Sequence, residues 1–471
     1  MAKILVIDLG TSSFKFALFD RAGPLCGLAR REPPLQRPVS GRLELAADDF
    51  ARTIADGIAE VGRKAGGLAD VEAVSFATQT NSFLLLDDQH RPLTPIILWP
   101  DRRAEDFGPA IHACAGLPRL TATTGIPGLT IQFMLAKLLW LRRHELAIWP
   151  RVGRLCLISD YLTLLLTGRH VTEAGAAGLT AMVDIHRCDW WAEMLAQLEV
   201  DRAWLPEIVR AGTDLGPITA AAASAFGLPA TCRFIVGCLD QYAGAIGAGN
   251  VGPRLISETT GTVLATVRLA DQFTTDLPAT VFQGPAFAGG KYWRMAFGEV
   301  SANYLQWYRD VLPDRPDFEI LTGLAATVAP GADGLTLATV APSSTPEVVF
   351  RGWTASHTRG HAVRAILEAV ARALGEQVAA VAGEILPGEI RSAGGAARDA
   401  LWLQIKADVL GVPVRATQCP EPTSLGGAVL AESALNGATV AAVAEQWVRL
   451  GQAHQPDRER QRLYEELRAK R

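Results

Sequence analysis

Near the N-terminus the run VIDLGTSSFKFALFD is apolar at both ends and breaks in the middle at Asp8 and at Gly10, Thr11, Ser12 and Ser13. A turn of glycine and hydroxyls presents successive N–H groups as a concave anion site, and the hydroxyls add donors. A polyphosphate suits such a turn. Asp8, just ahead of it, suits Mg²⁺, which favours one or two carboxylates plus phosphate oxygens. A polar hairpin turn that binds nothing would have the same local sequence. The theme returns in SETTGTVLATV, Ser257–Val267, where a hydroxyl and glycine turn again leads into an apolar strand. Between the two, GCLDQYAGAIGAGN surrounds one acidic residue, Asp240, with small residues. A third glycine cluster, SAGGAARDALWLQIKADVLGVPV, Ser392–Val414, reads as strand end, turn, helix and strand.

These turns need elements to hold them. ILVI, Ile4–Ile7, is apolar and β-branched, as a buried strand is, and FKFALFD places Phe14, Phe16 and Leu18 on one face of a half-buried strand. Residues 48–62 form an expected helix, capped by Asp48 or Asp49, with Ile54, Ile58 and Val61 at helical spacing. VEAVSFATQT reads as a buried strand and FLLLDDQHRPL as strand, turn and strand. AKLLWLRR and ISDYLTLLLTG read as helices, the second closed by Gly168. The tail from Gln455 is charged and helix-like, a solvated surface helix. Strand and helix signals alternate throughout, which makes the class α/β.

At 471 residues the chain exceeds one compact core, so at least two domains are expected. Its 49% apolar content supplies the material for a large core. A net charge of −4 gives no electrostatic reason to expect nucleic acid or an anionic membrane as partner. Seven cysteines, odd in number and without a CxxC pair, read as reduced thiols in a cytoplasmic protein. MAKILVIDLG is not a secretory signal, because Asp8 cuts its apolar run. No uninterrupted apolar stretch of about 18 residues exists to span a membrane.

The duplicated hairpin turn, one per domain, is the layout of the actin-like ATPase superfamily. Taken in order along nearly the whole chain, the motifs resemble those of the FGGY carbohydrate kinases, the family of xylulokinase and glycerol kinase. IDLGTSSFK resembles that family's first phosphate loop and TTGTV its second. LLLDDQHRPLTPIILWPDRR is similar to the segment ending in its Trp-x-Asp-x-Arg-like substrate motif, and KLLWLRRHE to part of its first signature. GCLDQYAGAIGAG resembles the stretch that holds the catalytic Asp. FRGWTASHTRGHAVRAILEAV, the adenosine motif in GGAARDALWLQIKADVLGVPV, and EPTSLGGAVLA complete the series.

The resemblance implies two actin-like (ribonuclease H-like) α/β domains with a deep cleft between them: residues 1–237 for the sugar and first phosphate loop, 238–436 for ATP, and C-terminal helices 437–471 returning to the first. It implies ATP and Mg²⁺ as cofactors and a small sugar or polyol as substrate, with a homodimer expected only at the family level. Asp240 is the implied general base; helix N-capping by it, with Gln241 opening the helix beside the substrate, is compatible. Asp8 is assigned to Mg²⁺. Gly10, Thr11, Ser12, Ser13, Gly261, Thr262 and, with less support, Thr260 are assigned to the phosphates. Lys15 either aids the phosphates or is an outward strand residue. Gly394, Gly395 and Ala396 are assigned to the adenosine, though a tight turn would need the same glycines. Gln79, Thr80, Asn81 and Asp101 are the implied substrate residues, carboxylates being good acceptors for sugar hydroxyls. Trp99 either packs on the sugar or is core. His357 and His361, four apart, match the spacing of a zinc pair, but without a third ligand nearby they read as cap or surface residues.

The chain departs from the family at two places. Xylulokinases carry Met-His after the residue matching Gln79 and glycerol kinases Arg-Glu, whereas this chain has Thr80-Asn81. The usual Gly-Glu-Arg-x-Pro stretch is missing from APSSTPEVVF, residues 341–350. The expected activity is phosphorylation of a ketopentose or related ketose at a terminal hydroxyl. The rivals are a polyol kinase and an actin-like nucleotide switch with no acceptor.

Overall fold

The computed structural model describes residues 2–338, 349–383 and 385–469. By compactness the chain forms two units. One holds residues 1–247, 270–294 and 423–447; the other holds 248–269, 295–422 and 448–471. The units interleave along the chain, so a linear division at 237 and 436 is coarser than the packing. The C-terminal residues divide as well, 437–447 going to the first unit and 448–471 to the second.

In the first unit the strands β1 (Lys3–Leu9), β2 (Phe14–Asp20), β3 (Leu25–Arg31), β4 (Val71–Thr78), β5 (Asp214–Pro217) and β6 (Arg233–Ile235) lie in the order β5–β6–β4–β1–β2–β3, and β7 (Cys238–Leu239) also pairs with β4. β1 runs antiparallel to β2 and parallel to β4. A strand flanked on both sides and covered on both faces reads as a continuous apolar run, which is why Ile4–Ile7 are all fully buried. Helix α1 (Ala47–Lys64) lays Phe50, Ile54 and Ile58 into the core beside Phe16. Asp48 and Asp49 sit in its first turn rather than capping it; Ala46 holds the cap position, and the carboxylates meet the positive end of the helix dipole from inside. The helix expected from ISDYLTLLLTG runs Ile158–Thr167 and ends on Gly168 in the left-handed region.

The second unit repeats the pattern. β8 (Leu255–Thr260) and β9 (Leu264–Ala270) form a hairpin, and β10 (Glu389–Ala393) runs parallel to β8, as β4 does to β1. β11 (Val414–Thr417) and β12 (Leu450–His454) extend this edge. Helices α2 (Arg359–Ala382) and α3 (Ala400–Leu410) bring Ile366, Val370, Trp402 and Ile405 into the unit's core. The tail helix, Arg458–Ala469, is surface-lying apart from Tyr464, whose hydroxyl bonds Glu368 and Arg364. His357 and His361 make local bonds, His361 to Asp333 and both to the threonines ahead of α2. Ala341–Val348, in the stretch that departs from the family, lies outside the described residues. Among the described residues no helix is long and apolar enough to cross a membrane.

The small residues around Asp240 have a packing cause. The helix Asp240–Gly247 and the helix Pro422–Asn436, which lies in the first unit from Thr423 on, touch backbone to backbone: a Cβ at Gly426 would lie 1.8 Å from the carbonyl oxygen of Ala243. Gly426→Ala is therefore expected to lower stability by about 3 kcal/mol or more. Gly323→Ala, in a helix with open space around it, should be neutral or raise stability by up to about 1 kcal/mol. Denaturant melts of the two variants check the contrast; equal effects would contradict it.

Candidate active site

Asp8 is the penultimate residue of β1 and stands directly across from Lys15 on β2. Cross-strand partners share a face of the sheet, and the Lys15 ammonium lies 3.4 Å from the Asp8 carboxylate. Asp8 is only 4% exposed. The turn that follows has one close approach: a Cβ on Gly10 would meet the Ser13 carbonyl at 2.8 Å, so the turn is tight enough to require glycine.

β7 ends at Leu239, and Asp240 opens the following helix, accepting the N–H of half-buried Gln241 at 2.7 Å. This carboxyl is enclosed, though the residue keeps some exposed surface. Burial is the main cause that lifts Asp240 to about 7; the charge of Asp8 adds to it, while the Gln241 N–H and Lys15 oppose it. A carboxyl held near neutrality is one that can take up a proton from an alcohol and release it again. Glu173, the buried cap of the helix Ala174–Gly178, is likewise lifted to about 7 by burial, against the N–H groups of Gly175 and Ala176 that it accepts.

The turn is bound to the residues expected to meet substrate. The Thr11 hydroxyl donates to Gln79 Oε1 at 3.3 Å and accepts the Trp99 indole N–H at 2.8 Å. Gln79 Nε2 returns a bond to the Gly10 carbonyl, and Ser82 joins Gln79 to the backbone N–H of Trp99. Gly10, Thr11, Gln79 and Trp99 are thus brought together. Thr80 and Asn81 are directed elsewhere. The Thr80 hydroxyl donates to the Ala176 carbonyl; Asn81, itself at a φ of 62°, spans the Leu179 carbonyl and the Met134 N–H.

Asp101 is 1% exposed and accepts from the Leu43 N–H and from the backbone and guanidinium of Arg103, which also binds Glu44. Burial pushes the Asp101 carboxyl up, but Arg103 and the two backbone N–H groups outweigh it and hold it below its ordinary value. Lys137 is fully buried and donates to the carbonyls of Trp99 at 2.8 Å and Gln132 at 2.7 Å. Burial lowers its ammonium to about 7, with nearby Asp101 opposing. Lys137, Glu44 and Ser82 were not singled out from sequence, and Arg103 entered only as the last residue of the Trp-x-Asp-x-Arg-like motif. A lysine inside the apolar run MLAKLLWLRR was the available signal, since buried charges need partners.

In the second unit Gly261 and Thr262 form the β8–β9 turn, Thr262 exposed and Thr260 buried. The Thr260 hydroxyl bonds Glu258 and Lys406. Gly394 and Gly395 are exposed and Ala396 is buried, while Asp399 caps α3 through the Trp402 N–H. Among the described residues no group of three or more His, Cys, Asp or Glu could hold a metal. The Asp8 and Asp240 carboxylates, close enough to feel each other's charge, still fit a Mg²⁺ that brings phosphate and water oxygens with it.

A model of the FGGY family of carbohydrate kinases, N-terminal domain, matches residues 3–247, and its C-terminal counterpart matches 299–435. The chain is 28% identical over 460 residues to the xylulose kinase of Lactococcus lactis subsp. lactis, covering 92% of this chain and 87% of that protein. It is 31% identical over 467 residues to the glycerol kinase of Dechloromonas aromatica, covering 91% and 88%. The crystal structure of xylulose kinase from Rhodospirillum rubrum superimposes with a TM-score of 0.88 at 27% identity, covering 99% and 96%.

A raised carboxyl has a stability consequence. Folded Asp240 holds its proton up to about 7, against 3.8 as the ordinary value. Stability from this group is present at low pH and is lost as pH rises between those values. Asp240→Asn does not titrate. The variant should melt like wild type near pH 4 and be more stable at pH 8.5, by on the order of 2–4 kcal/mol. A difference that does not change with pH would contradict this.

Proposed function

Because the chain belongs to the FGGY family of carbohydrate kinases, we propose that it transfers the γ-phosphoryl group of ATP to a terminal hydroxyl of a ketopentose or related ketose, with Asp240 as general base. The chain is a carbohydrate kinase of two actin-like α/β domains, acting with ATP on a small sugar or polyol. The role of Asp240 is carried by one observation, an enclosed carboxyl lifted to about 7 beside Asp8; the ketose acceptor is supported by the similarity to xylulose kinases.

Phosphoryl transfer asks the protein for position and charge more than for covalent chemistry. The acceptor hydroxyl donates a hydrogen bond to Asp240. As its oxygen bonds the γ-phosphorus, the bond to the β–γ bridging oxygen breaks and ADP leaves. The hydroxyl proton passes to Asp240. Gly10–Ser13, Gly261 and Thr262 receive phosphates through N–H groups and hydroxyls, and Gly394–Ala396 receive the adenosine. Asp8 would hold Mg²⁺, which when bound would neutralise charge on the phosphates. Lys15 offsets the two carboxylates. Gln79 and Trp99, fixed to the first turn, form the wall for the sugar. Asp101, fully engaged by Arg103 and Leu43, supports that wall rather than meeting the substrate.

A polyol acceptor is the second reading, favoured by the similarity to a glycerol kinase. ADP release measured with ketoses, aldoses, sugar acids and polyols, against a blank without acceptor, separates the two. Strong stimulation by ketoses is expected. Stimulation by polyols alone would replace the substrate reading, and none at all with ATP still bound would favour a nucleotide switch. Asp240→Asn should lower kcat by about 10²–10⁴-fold and leave ATP affinity nearly unchanged. Wild-type kcat/KM for the sugar should climb with pH through about 7; a flat profile would argue against Asp240 as base.

A further inference from the structure

Beneath the second turn lies a fully buried ion pair. Lys406 on α3 and Glu258 on β8 have side chains with 0% exposure, and the ammonium is 2.6 Å from Glu258 Oε1. The same ammonium donates to the Thr260 hydroxyl at 2.9 Å and lies 5.3 Å from the centre of the Trp402 ring. The Thr260 hydroxyl donates in turn to Glu258 Oε2 at 2.7 Å, and the Ser392 hydroxyl donates to Glu258 Oε1. Four side chains from β8, β10 and α3 therefore close into one network. β8 ends at Thr260, immediately before Gly261 and Thr262; Ser392 lies two residues before Gly394. The network ties the end of the strand that leads to the phosphate turn to the strand that leads to the adenosine turn.

A buried ion pair is weak support for stability, because desolvating both charges offsets most of their attraction and an apolar pair often serves as well. What such a pair does supply is geometry, since each partner tolerates few arrangements. We propose that Lys406 and Glu258 are positioning residues for the nucleotide: through Thr260 and Ser392 they fix the placement of the 261–262 turn relative to the 394–396 turn. This rests on reading those turns as phosphate and adenosine sites. Thr260 then serves the pair with its hydroxyl, and Gly261 and Thr262 serve the ligand.

The test is the double variant Glu258→Gln/Lys406→Met, which removes both charges at similar volume, with Thr260→Val as a milder cut of the link. Steady-state kinetics are taken against ATP and against the sugar that stimulates best, with melting curves for each variant. Both variants should raise KM for ATP, the double by about tenfold, and leave KM for the sugar within about twofold. A folded double variant whose ATP KM is unchanged overturns the proposal, as does an equal rise in both KM values. Should the double variant not fold, Thr260→Val decides, and an unchanged ATP KM there overturns it. Thr262→Val separates this inference from its premise. If that variant raises ATP KM while the other two do not, only the role of the pair falls. If all three leave ATP KM alone, the phosphate turn itself is misread.

Discussion

Two carboxylates that repel each other organise the first unit. Asp8 lies at the penultimate position of β1, Asp240 opens a helix, and the charge of Asp8 is felt by Asp240 in an enclosed setting. Burial first, and the charge of Asp8 second, keep a proton on Asp240 to about 7, while Lys15 stands across the sheet from Asp8 and opposes the shift. The surroundings follow from this arrangement. β1 and β7 both pair with β4, which brings the two acids to neighbouring strand ends. The helix behind Asp240 is built from small residues because a second helix crosses it backbone to backbone at Gly426. A raised carboxyl of this kind is expected where a protein holds an acid ready for proton transfer rather than for stability.

A second constraint is the hydrogen-bond chain from the first turn to the wall beside it. Lys137 holds the Trp99 carbonyl, Trp99 holds Thr11, and Thr11 holds Gln79. Lys137 is an unusual anchor. Its ammonium is fully buried with two carbonyls as partners, and burial draws it down to about 7. A neutral donor would be easier to bury, but a lysine can reach two carbonyls at once from a helix that packs by its apolar stem. Asp101 and Arg103 complete the wall from the other side, with Glu44 as a third charge.

Much of this was legible in the sequence where function depends on neighbours along the chain. The turn at Gly10–Ser13, its echo at Gly261–Thr262 and the small-residue run around Asp240 each announce themselves locally, and the resemblance to one family rests on their order. The α/β class was readable from alternating strand and helix signals. Side-chain direction was not. Thr80 and Asn81 stand beside Gln79 in sequence, yet they hold the backbone at Ala176, Leu179 and Met134, because the chain turns at Asn81 and hands them different partners. Long-range pairs were invisible for the same reason. Glu258 and Lys406 are 148 positions apart; Glu258 stands among hydroxyl residues in ISETTG and Lys406 in the largely apolar run ALWLQIKADVL, and neither gives a hint of the other. A charged residue at a core position signals that a partner exists without naming it.

Asp240 keeps its proton to near neutrality, by burial and by the charge of Asp8. The direct measurement is a carboxyl-carbon NMR titration of protein labelled at aspartate, with the Asp240 signal assigned by its loss in Asp240→Asn and followed in wild type and in Asp8→Asn. A midpoint of about 7 is expected in wild type and a lower one once the Asp8 charge is gone. A midpoint near the ordinary carboxylate value of 3.8 in both proteins would contradict it.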